Sequence, residues 1–275
     1  MTGEFTPTTA SAYIPEVWSA KVFEYAYEDV LLSDLVVSLD QEVASYGDIV
    51  HMPVMAVLAT ATKAADTDVV FTNNTDTDAT VTVNTYEYVA VAPTLEVMKK
   101  AKYDLVGLNQ KSMGKAIGNR WDAQIAGLYT GLSQSVGVAG AGFTDGALIE
   151  AIRLLDVANA PAEDRNLALH PSAWADFIGI EKFYNSATFP QQKALSKYQI
   201  AEVYGLKTFK TNNISNSGTT ERNLVFHREA FGIARSIKID VMMQDMARAG
   251  RKEIVAYTLY GFGEIRDSFA VTVLS

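Results

Sequence analysis

Residues 47–132 decide the fold, and they read GDIVHMPVMAVL (47–58), a polar segment TATKAADTDVVFTNNTDTDAT (60–80), VTVNTYEYVAVA (81–92) and, further on, DLVGLNQKSMGKAIGNRWDAQIAGLYTGL (104–132). Apolar and polar residues alternate with a period of two near residue 81, which is typical of a half-buried strand. We therefore predict a long β-hairpin with limbs at 48–58 and 81–92, whose second limb enters the main body between residues 86 and 91. A two-stranded ribbon alone is marginal in water. The hairpin is therefore expected to lie on a neighbouring molecule.

The segment at 104–132 predicts one long helix. Its apolar residues recur at spacings of four, four, three and four, which is one helical stripe: Ile117, Trp121, Ile125, Leu128 and Leu132. A helix of this length spans about 40 Å. Its five glycines each cost about 1 kcal/mol relative to alanine: Gly107, Gly114, Gly118, Gly127 and Gly131. These glycines indicate either a tolerated weakness or a helix shorter than predicted. Alternatively, they mark a bend or a close crossing by another backbone. We favour the bend or close crossing.

The composition excludes several classes of protein. The chain has 275 residues, of which 48% are hydrophobic, and this is enough for a large core. Only 20% of the residues are charged, which is slightly low for a protein whose whole surface faces water. The net charge of −9 argues against tight binding to phosphate backbones. The absence of cysteine excludes disulfides, thiolate metal sites and cysteine nucleophiles. No signal peptide or membrane span is recognisable, so a soluble protein made in the cytoplasm is expected.

The rest of the chain predicts a mixed α+β fold. A flexible arm is expected at 1–13, a short helix at 16–27 after Pro15, and a strand or helix at 31–39. A glycine-rich hinge at 135–146 precedes a helix at 146–160 that Asp145 caps. Beyond it we expect strands at 166–170, 203–211, 224–227 and 238–242, helices at 171–180 and 228–234, and a polar loop at 184–192. Two strands at 253–260 and 269–274, joined through GFGEIRDS (261–268), end the chain.

No sequence motif for catalysis or metal binding emerges. The three histidines, His51, His170 and His227, lie far apart and are interpreted as structural. Neither a G-x-S-x-G elbow nor a G-x-x-x-x-G-K-[ST] phosphate loop occurs. The string at Gly261–Gly263 resembles half of a dinucleotide fingerprint, but a strand follows it, so a turn between strands is the better interpretation.

Charged residues cluster in two places. The carboxylates of the hairpin segment would bind a hard cation only if the tip folded back, and solvated side chains are the better interpretation: Asp66, Asp68, Asp76 and Asp78. Lys63 near them either pairs with a carboxylate of another subunit or is solvated. A basic stretch follows, either a solvated face or a weak patch for an acidic partner: Lys99, Lys100, Lys102, Lys111, Lys115 and Arg120.

The order of these elements resembles the major capsid protein of tailed bacteriophages, a fold shared with encapsulins and the herpesvirus capsid floor. The strings that carry the resemblance are YIPEVWSAKVFEYAYEDVLLSDLV (13–36), GDIVHMP (47–53), GNRWDAQIAGLY (118–129), LALHPSAWADFI (167–178), AEVYGLKTFKTNNI (201–214), LVFHREAFGIAR (224–235) and YGFGEIRDSFAVTVL (260–274). None is a chemical motif, and their joint order covers nearly the whole chain.

The resemblance implies a phage major-capsid fold with an inserted axial domain. Residues 1–46 would form an N-terminal arm and short helix, 47–93 the extended hairpin loop that lies on an adjacent subunit, and 94–134 the spine helix of the peripheral domain. Residues 135–250 would form the axial domain, and 251–275 would return to the peripheral domain.

The function implied is a non-enzymatic coat subunit. Its pentamers and hexamers would form the icosahedral shell of a virion around double-stranded DNA held without sequence-specific binding. Assembly would occur in the host bacterial cytoplasm, with a portal and, since the arm before Pro15 is short, a separate scaffolding protein or none. No cofactor, metal or membrane is implied. An encapsulin-type shell around cargo and a soluble enzyme with a lid hairpin are the alternatives.

Some relatives cross-link a lysine to an asparagine of the next subunit. Lys63 and either Asn213 or Asn216 are the candidates here, and since no motif supports the reaction we expect no cross-link. A ladder of covalent oligomers on denaturing gels of mature shells would contradict this expectation.

Overall fold

The computed structural model describes residues 32–43, 47–54, 58, 60–71, 77–102, 104–180, 202–218 and 220–275. The arm predicted at 1–13, the helix predicted at 16–27 and the loop predicted at 184–192 lie outside these residues. The helices found within them are α1 (Asp40–Val43), α2 (Leu95–Lys100), α3 (Leu105–Gly127), α4 (Asp145–Val157) and α5 (Pro171–Gly179). Short 3-10 turns lie at Leu32–Asp34, Leu128–Thr130, Arg228–Ala230, Ala247–Ala249 and Asp267–Phe269.

The strands of the described residues form three sheets, so the fold is α+β as predicted. The strands are β1 (Val37–Ser38), β2 (Ile49–Val54), β3 (Thr77–Thr82), β4 (Thr85–Val91), β5 (Ser135–Gly137), β6 (Arg165–Leu169), β7 (Glu202–Val203), β8 (Leu206–Lys210), β9 (Arg222–His227), β10 (Phe231–Met246), β11 (Arg251–Glu264) and β12 (Ala270–Leu274). One sheet has the order β5-β12-β9-β6-β8-β7, the second β1-β10-β11-β4, and the third is the pair β2-β3.

The six-stranded sheet carries the main hydrophobic core. Its central strand β6 is buried along its whole length, including the apolar residues Leu167, Ala168 and Leu169 that predict a buried strand. Leu148 and Leu155 of α4 and Phe177 of α5 pack into the same core. The cap of α4 is Thr144, whose hydroxyl accepts a hydrogen bond from the backbone N–H of Ala147. The prediction that Asp145 caps this helix is wrong, because Thr144 holds the extended backbone that a cap needs.

Helix α3 lies on one face of the four-stranded sheet. Met113, Ile117 and Trp121 pack there against the buried face of β11. Further along the predicted stripe, Ile125 is fully buried and Leu128 and Leu132 are half-buried against the main core. The long helix is therefore confirmed, although it ends at Gly127 and continues only as a 3-10 turn.

The glycines of this helix are not crossed by another backbone where their surroundings are described. A Cβ atom built on Gly114 or Gly127 would meet no atom within 4 Å, apart from the backbone of the helix itself. At Gly131 the nearest atoms belong to the side chain of Glu264. The prediction that another backbone crosses close to these glycines is therefore wrong for Gly114, Gly127 and Gly131 in the single chain.

The predicted hairpin is shorter than its sequence suggests. Strands β2 and β3 pair in antiparallel register from Ile49 opposite Thr82 to Val54 opposite Thr77. The second limb was predicted to continue along the same hairpin, and this is wrong beyond Thr82. After two residues the chain starts β4, which pairs with β11 from Thr85 opposite Tyr260 onward. This pairing confirms that the limb enters the main body.

The C-terminal part differs from the predictions in two ways. Gly261–Gly263 is no turn, since it continues β11 and pairs with β10. The two C-terminal strands are not paired with each other: β11 lies between β10 and β4, whereas β12 lies between β5 and β9. Periodicity shows that a segment is a strand but does not show its partner, which sheet contacts decide.

Three further segments were predicted incompletely. The single strand at 203–211 is two strands, β7 and β8, because Tyr204 and Gly205 turn the chain with positive φ angles of 51° and 78°. The helix at 228–234 is one 3-10 turn, after which the chain enters β10. The predicted hinge at 135–146 contains β5, which pairs in parallel with β12.

Candidate functional site

The root of the hairpin β2-β3, called the arm below, is fixed to the body by a small apolar cluster. The buried members are Leu39, Val43, Val50, Val81, Val83 and Ala234. The backbone N–H of Val83 donates to the carbonyl oxygen of Asp48 at 2.6 Å, which closes the base of the arm. Nearer the tip, His51 Nδ1 lies 2.6 Å from Asp78 Oδ2, and both side chains are more than half exposed. This contact links the two strands of the arm.

A buried ion pair holds α1 beside the same root. The Arg235 guanidinium donates to both carboxylate oxygens of Asp40, with Nη2 2.8 Å from Oδ2, and the Arg235 backbone N–H donates to Oδ1 at 3.0 Å. Lys238 Nζ lies 3.2 Å from Oδ2. Burial alone would raise the pKa of Asp40, but its hydrogen bonds and charge interaction with Arg235 outweigh burial and hold the pKa below its ordinary value.

The segment beyond the arm strands exposes apolar side chains. Residues 60–71 are all exposed, and they include Val69, Val70 and Phe71, the last of which is 90% exposed. Three consecutive large apolar residues in water are unfavourable, so this segment, called the tip below, is suited to contact with another surface. Asp66, Asp68 and Lys63 are also exposed.

An open aromatic groove lies between β4 and α3, where β4 forms an edge of its sheet. It has a volume of about 390 Å³ and is lined by Tyr86, Glu87, Tyr88, Val89, Ala116, Ile117 and Arg120. The rings of Tyr86 and Tyr88 are 58% and 66% exposed, and Tyr86 stacks on Tyr257 with centroids 5.6 Å apart. The edge strand and its exposed rings offer a surface on which an apolar segment can bind.

The floor of this groove is ordered by one carboxylate. Glu87 accepts a hydrogen bond from the Tyr260 hydroxyl at 2.7 Å and from Arg120 Nε at 3.1 Å. Burial, and then the neighbouring carboxylate, raise the pKa of Tyr260 above its ordinary value. Arg120 is thus paired within the chain, as is Lys100 with Glu96 at 2.5 Å. The predicted basic stretch is therefore partly neutralised, and Lys115 is one of its exposed members.

The other two histidines cap a helix and a 3-10 turn. His170 Nδ1 accepts from the backbone N–H of Ser172 at the start of α5, and His227 Nδ1 accepts from Glu229 N before a 3-10 turn. His227 is buried, and burial lowers its pKa below the ordinary value.

One cluster brings a serine, a histidine and a carboxylate together. Ser172 Oγ lies 2.5 Å from His170 Nδ1 and donates to Glu221 Oε1 at 2.5 Å. In a nucleophilic triad the carboxylate binds the imidazole nitrogen opposite the one that faces the serine. Here the serine and the carboxylate both face Nδ1, and Glu221 also joins the C-terminal Ser275. The arrangement is a capping network that ties α5 to the chain terminus.

The described residues contain neither a metal-binding cluster nor a helix able to cross a membrane. No group of three histidine or acidic side chains within them is arranged to hold a metal ion. In the same residues, no helix combines the length and apolar character needed to span a bilayer. Asp76 lies outside them, so the predicted acidic set is described only in part. Of the proposed cross-linking asparagines, Asn213 is half-buried and Asn216 is exposed.

Comparison with solved structures finds the same fold in phage particles. A structure of Mycobacterium phage Che8 matches with a TM-score of 0.81 and 19% identity over 95% of this chain and 97% of that chain. The capsid of cyanophage P-SCSP1u matches with a TM-score of 0.79 and 16% identity over 96% and 93%. The mature capsid of bacteriophage PhiM1 matches with a TM-score of 0.73 and 9% identity over 94% and 91%. No protein-family model and no curated protein matches the sequence.

The chain has the fold of a bacteriophage capsid protein. The capsid fold matches over more than nine-tenths of the chain, so the elements described above belong to one architecture. The likeness extends to the capsid of a gene transfer agent particle, with a TM-score of 0.72 over 99% of both chains.

The groove and the ion pair at the arm root were not predictable from local sequence patterns. The alternation of Tyr86 and Tyr88 with Glu87 was visible, and it signals one exposed aromatic face. What was not visible is that Tyr260 and Arg120, far along the chain, meet Glu87. Asp40 and Arg235 are separated by 195 positions, and no local pattern links them.

Proposed function

We propose that this chain is the major capsid protein of a tailed bacteriophage and assembles as pentamers and hexamers into an icosahedral shell around double-stranded DNA. The observation that carries the proposal is the capsid fold over nearly the whole chain, combined with an arm whose tip exposes Val69, Val70 and Phe71. A subunit that leaves such residues in water gains stability when a neighbour covers them.

The arm of one subunit lies on the body of the next. The tip offers an apolar triplet, and the groove between β4 and α3 offers exposed tyrosine rings beside a paired carboxylate. The tip and the groove are different surfaces, so the contact between copies is head-to-tail. Head-to-tail contacts between identical copies close into rings when the rotation permits, which suits pentamers and hexamers. Many such contacts in one shell make weak pairwise affinities sufficient.

The partners follow from the same proposal. DNA is enclosed without sequence-specific binding, in keeping with a net charge of −9. Assembly takes place in the host bacterial cytoplasm with a portal and a separate scaffolding protein, and the product resides in the virion. The division into domains at 1–46, 47–93, 94–134, 135–250 and 251–275 remains a prediction of this proposal, as does the absence of a Lys63 cross-link.

Two alternatives are less well supported. An encapsulin-type shell would use the same fold around a protein cargo. However, residues 14–32 (IPEVWSAKVFEYAYEDVLL) resemble the N-terminal segment of a phage capsid protein more than a cargo-binding helix. A soluble enzyme with a lid hairpin would need a nucleophile, a base and an orienting group. The cluster at His170, Ser172 and Glu221 does not have that geometry.

Expression of the chain alone and with a candidate scaffold, followed by sizing and electron microscopy, tests the proposal. Shells, tubes or capsomers are expected. A stable monomer of 29.9 kDa under both conditions would contradict the structural role. Shells that enclose a co-purifying protein in place of a scaffold would favour the encapsulin alternative.

Replacing Phe71 with serine tests the role of the tip. Because Phe71 is 90% exposed, the variant should unfold at the same denaturant concentration as the parent chain before assembly. Loss of a buried aromatic anchor at an interface typically costs about 2 kcal/mol or more, so the protein concentration needed for assembly should rise at least about tenfold. Val138→Ser, also on an exposed apolar side chain, is the matched control. Equal assembly of both variants would exclude the tip as an anchor.

A further inference from the structure

Two glycines of β11 lie where the arm meets the body. A Cβ atom built on Gly261 would lie 2.0 Å from the carbonyl oxygen of Thr82 and 2.9 Å from Val83 Cα. One built on Gly263 would lie 2.9 Å from Val81 Cγ2 and 3.0 Å from the carbonyl oxygen of Thr80. Residues two apart in a strand share a face, so both glycines face β3.

This contact is closer than ordinary packing of two sheets. Stacked sheets lie about 10 Å apart because a layer of side chains separates them. At Gly261 the neighbouring atoms are all backbone, and backbone cannot move aside as the end of a flexible side chain can. The strand β3 therefore rests directly on β11, and the orientation of the arm depends on contact between two main chains.

Neighbouring contacts restrict the root in the other directions. β4 begins only two residues after β3 and pairs with β11 from Tyr260 onward, next to Gly261. The apolar cluster with Val50, Val81 and Ala234 packs beside this contact, because Ala234 is paired with Gly261 and Val81 lies next to Gly263. Strand β11 therefore holds β3 on its face and β4 at its edge, and little rotation of the arm is possible without breaking one of these contacts.

We propose that Gly261 and Gly263 form a seat that sets the angle between the arm and the body. The two glycines are positioning residues. By fixing that angle they determine where the tip of an unassembled subunit points and, if the shell proposal is correct, the angle between neighbouring subunits. This second consequence rests on the proposed function, whereas the seat itself belongs to the single chain.

Because the chain contains no cysteine, spin labels on introduced cysteines can measure the position of the arm relative to the body. Cysteines at Thr77 on the arm and Val138 on the body, both exposed, can be labelled alone, and double electron–electron resonance gives their distance distribution in the unassembled full chain. Gly261→Ala must move β3 by about 1.4 Å to bring the new Cβ to van der Waals contact. Since β3 extends away from the seat, a tilt there should shift or broaden the measured distance by several ångströms at Thr77. Gly127→Ala, which meets no atom, is the matched control and should leave the distribution unchanged.

A second variant covers the case in which Gly261→Ala does not fold. In Gly263→Ala the closest atom is the Val81 side chain, so a smaller shift is expected, and adding Val81→Ala should restore part of the parent distance. An unchanged distribution in a folded Gly261→Ala chain, or in Gly263→Ala, would overturn the seat. Because the measurement uses unassembled chains, an unchanged distance would contradict the seat without contradicting the proposed shell. Conversely, a failure to form shells would not contradict the seat. For the shell itself, Gly261→Ala should give particles of altered diameter, or open assemblies, where Gly127→Ala gives the parent diameter.

Discussion

Replacing Asp40 with alanine should destabilise the chain strongly through one buried ion pair. Arg235 and Asp40 have side chains only 12% and 10% exposed, and the change leaves the guanidinium without its carboxylate partner. Removing one member of a buried pair costs about 3–5 kcal/mol, because the remaining charge stays out of water. Urea unfolding of the unassembled chain measures this loss. Asp34→Ala, on an exposed carboxylate nearby, is the control and should change the free energy of unfolding by no more than about 0.5 kcal/mol. A loss below about 1 kcal/mol for Asp40→Ala would refute the reasoning.

The same ion pair predicts how the free energy of unfolding falls at acid pH. Folding lowers the pKa of Asp40, so its stabilising contribution is fully present above the unfolded-state value of about 3.9. The contribution is lost as the pH falls through the lower value of the folded state. Asp40→Asn should therefore flatten the dependence of unfolding free energy on pH below about pH 4. Parallel acid limbs for the variant and the parent chain would contradict this assignment.

Two further substitutions test the surroundings of the groove in the unassembled chain. Gly114→Ala should stabilise α3 by about 1 kcal/mol, because the site is open and alanine is the better helix former; a destabilised variant in urea would show a hidden contact. Tyr260→Phe removes the hydrogen bond to Glu87 and should cost about 1–3 kcal/mol at neutral pH. Folding raises the pKa of Tyr260, so its contribution is present below the unfolded-state value of about 10 and is lost as the pH rises through the folded-state value. The loss of stability above pH 10 should therefore weaken in Tyr260→Phe, and an unchanged alkaline limb would exclude the assignment.

Local patterns were sufficient to predict α3, α4, α5 and most strands, but not the short helices α1 and α2. The stripe from Ile117 to Leu132 gave α3, and Pro171 after a buried strand gave the start of α5, because both signals act within a few residues. The order of these elements was enough to recognise the capsid fold, even though no chemical motif was present.

Long-range pairing was not predictable from the sequence. The string GFGEIRDS looked like a turn because glycines usually mark turns, whereas Gly261 and Gly263 are glycines because β3 passes over them. The second hairpin limb looked continuous, but β4 pairs with β11 and leaves β3 with β2. These outcomes depend on contacts between residues more than 150 positions apart, which periodicity does not encode.

An electron cryomicroscopy reconstruction of the particles formed by this chain is the most direct test of the central claim. We expect rings of five and six subunits in which the arm at Ile49–Thr82 leaves its own body and places Phe71 in the groove lined by Tyr86 and Tyr88 of the adjacent copy. A reconstruction in which the tip contacts only its own subunit, or a preparation that contains nothing larger than the monomer, would contradict the claim.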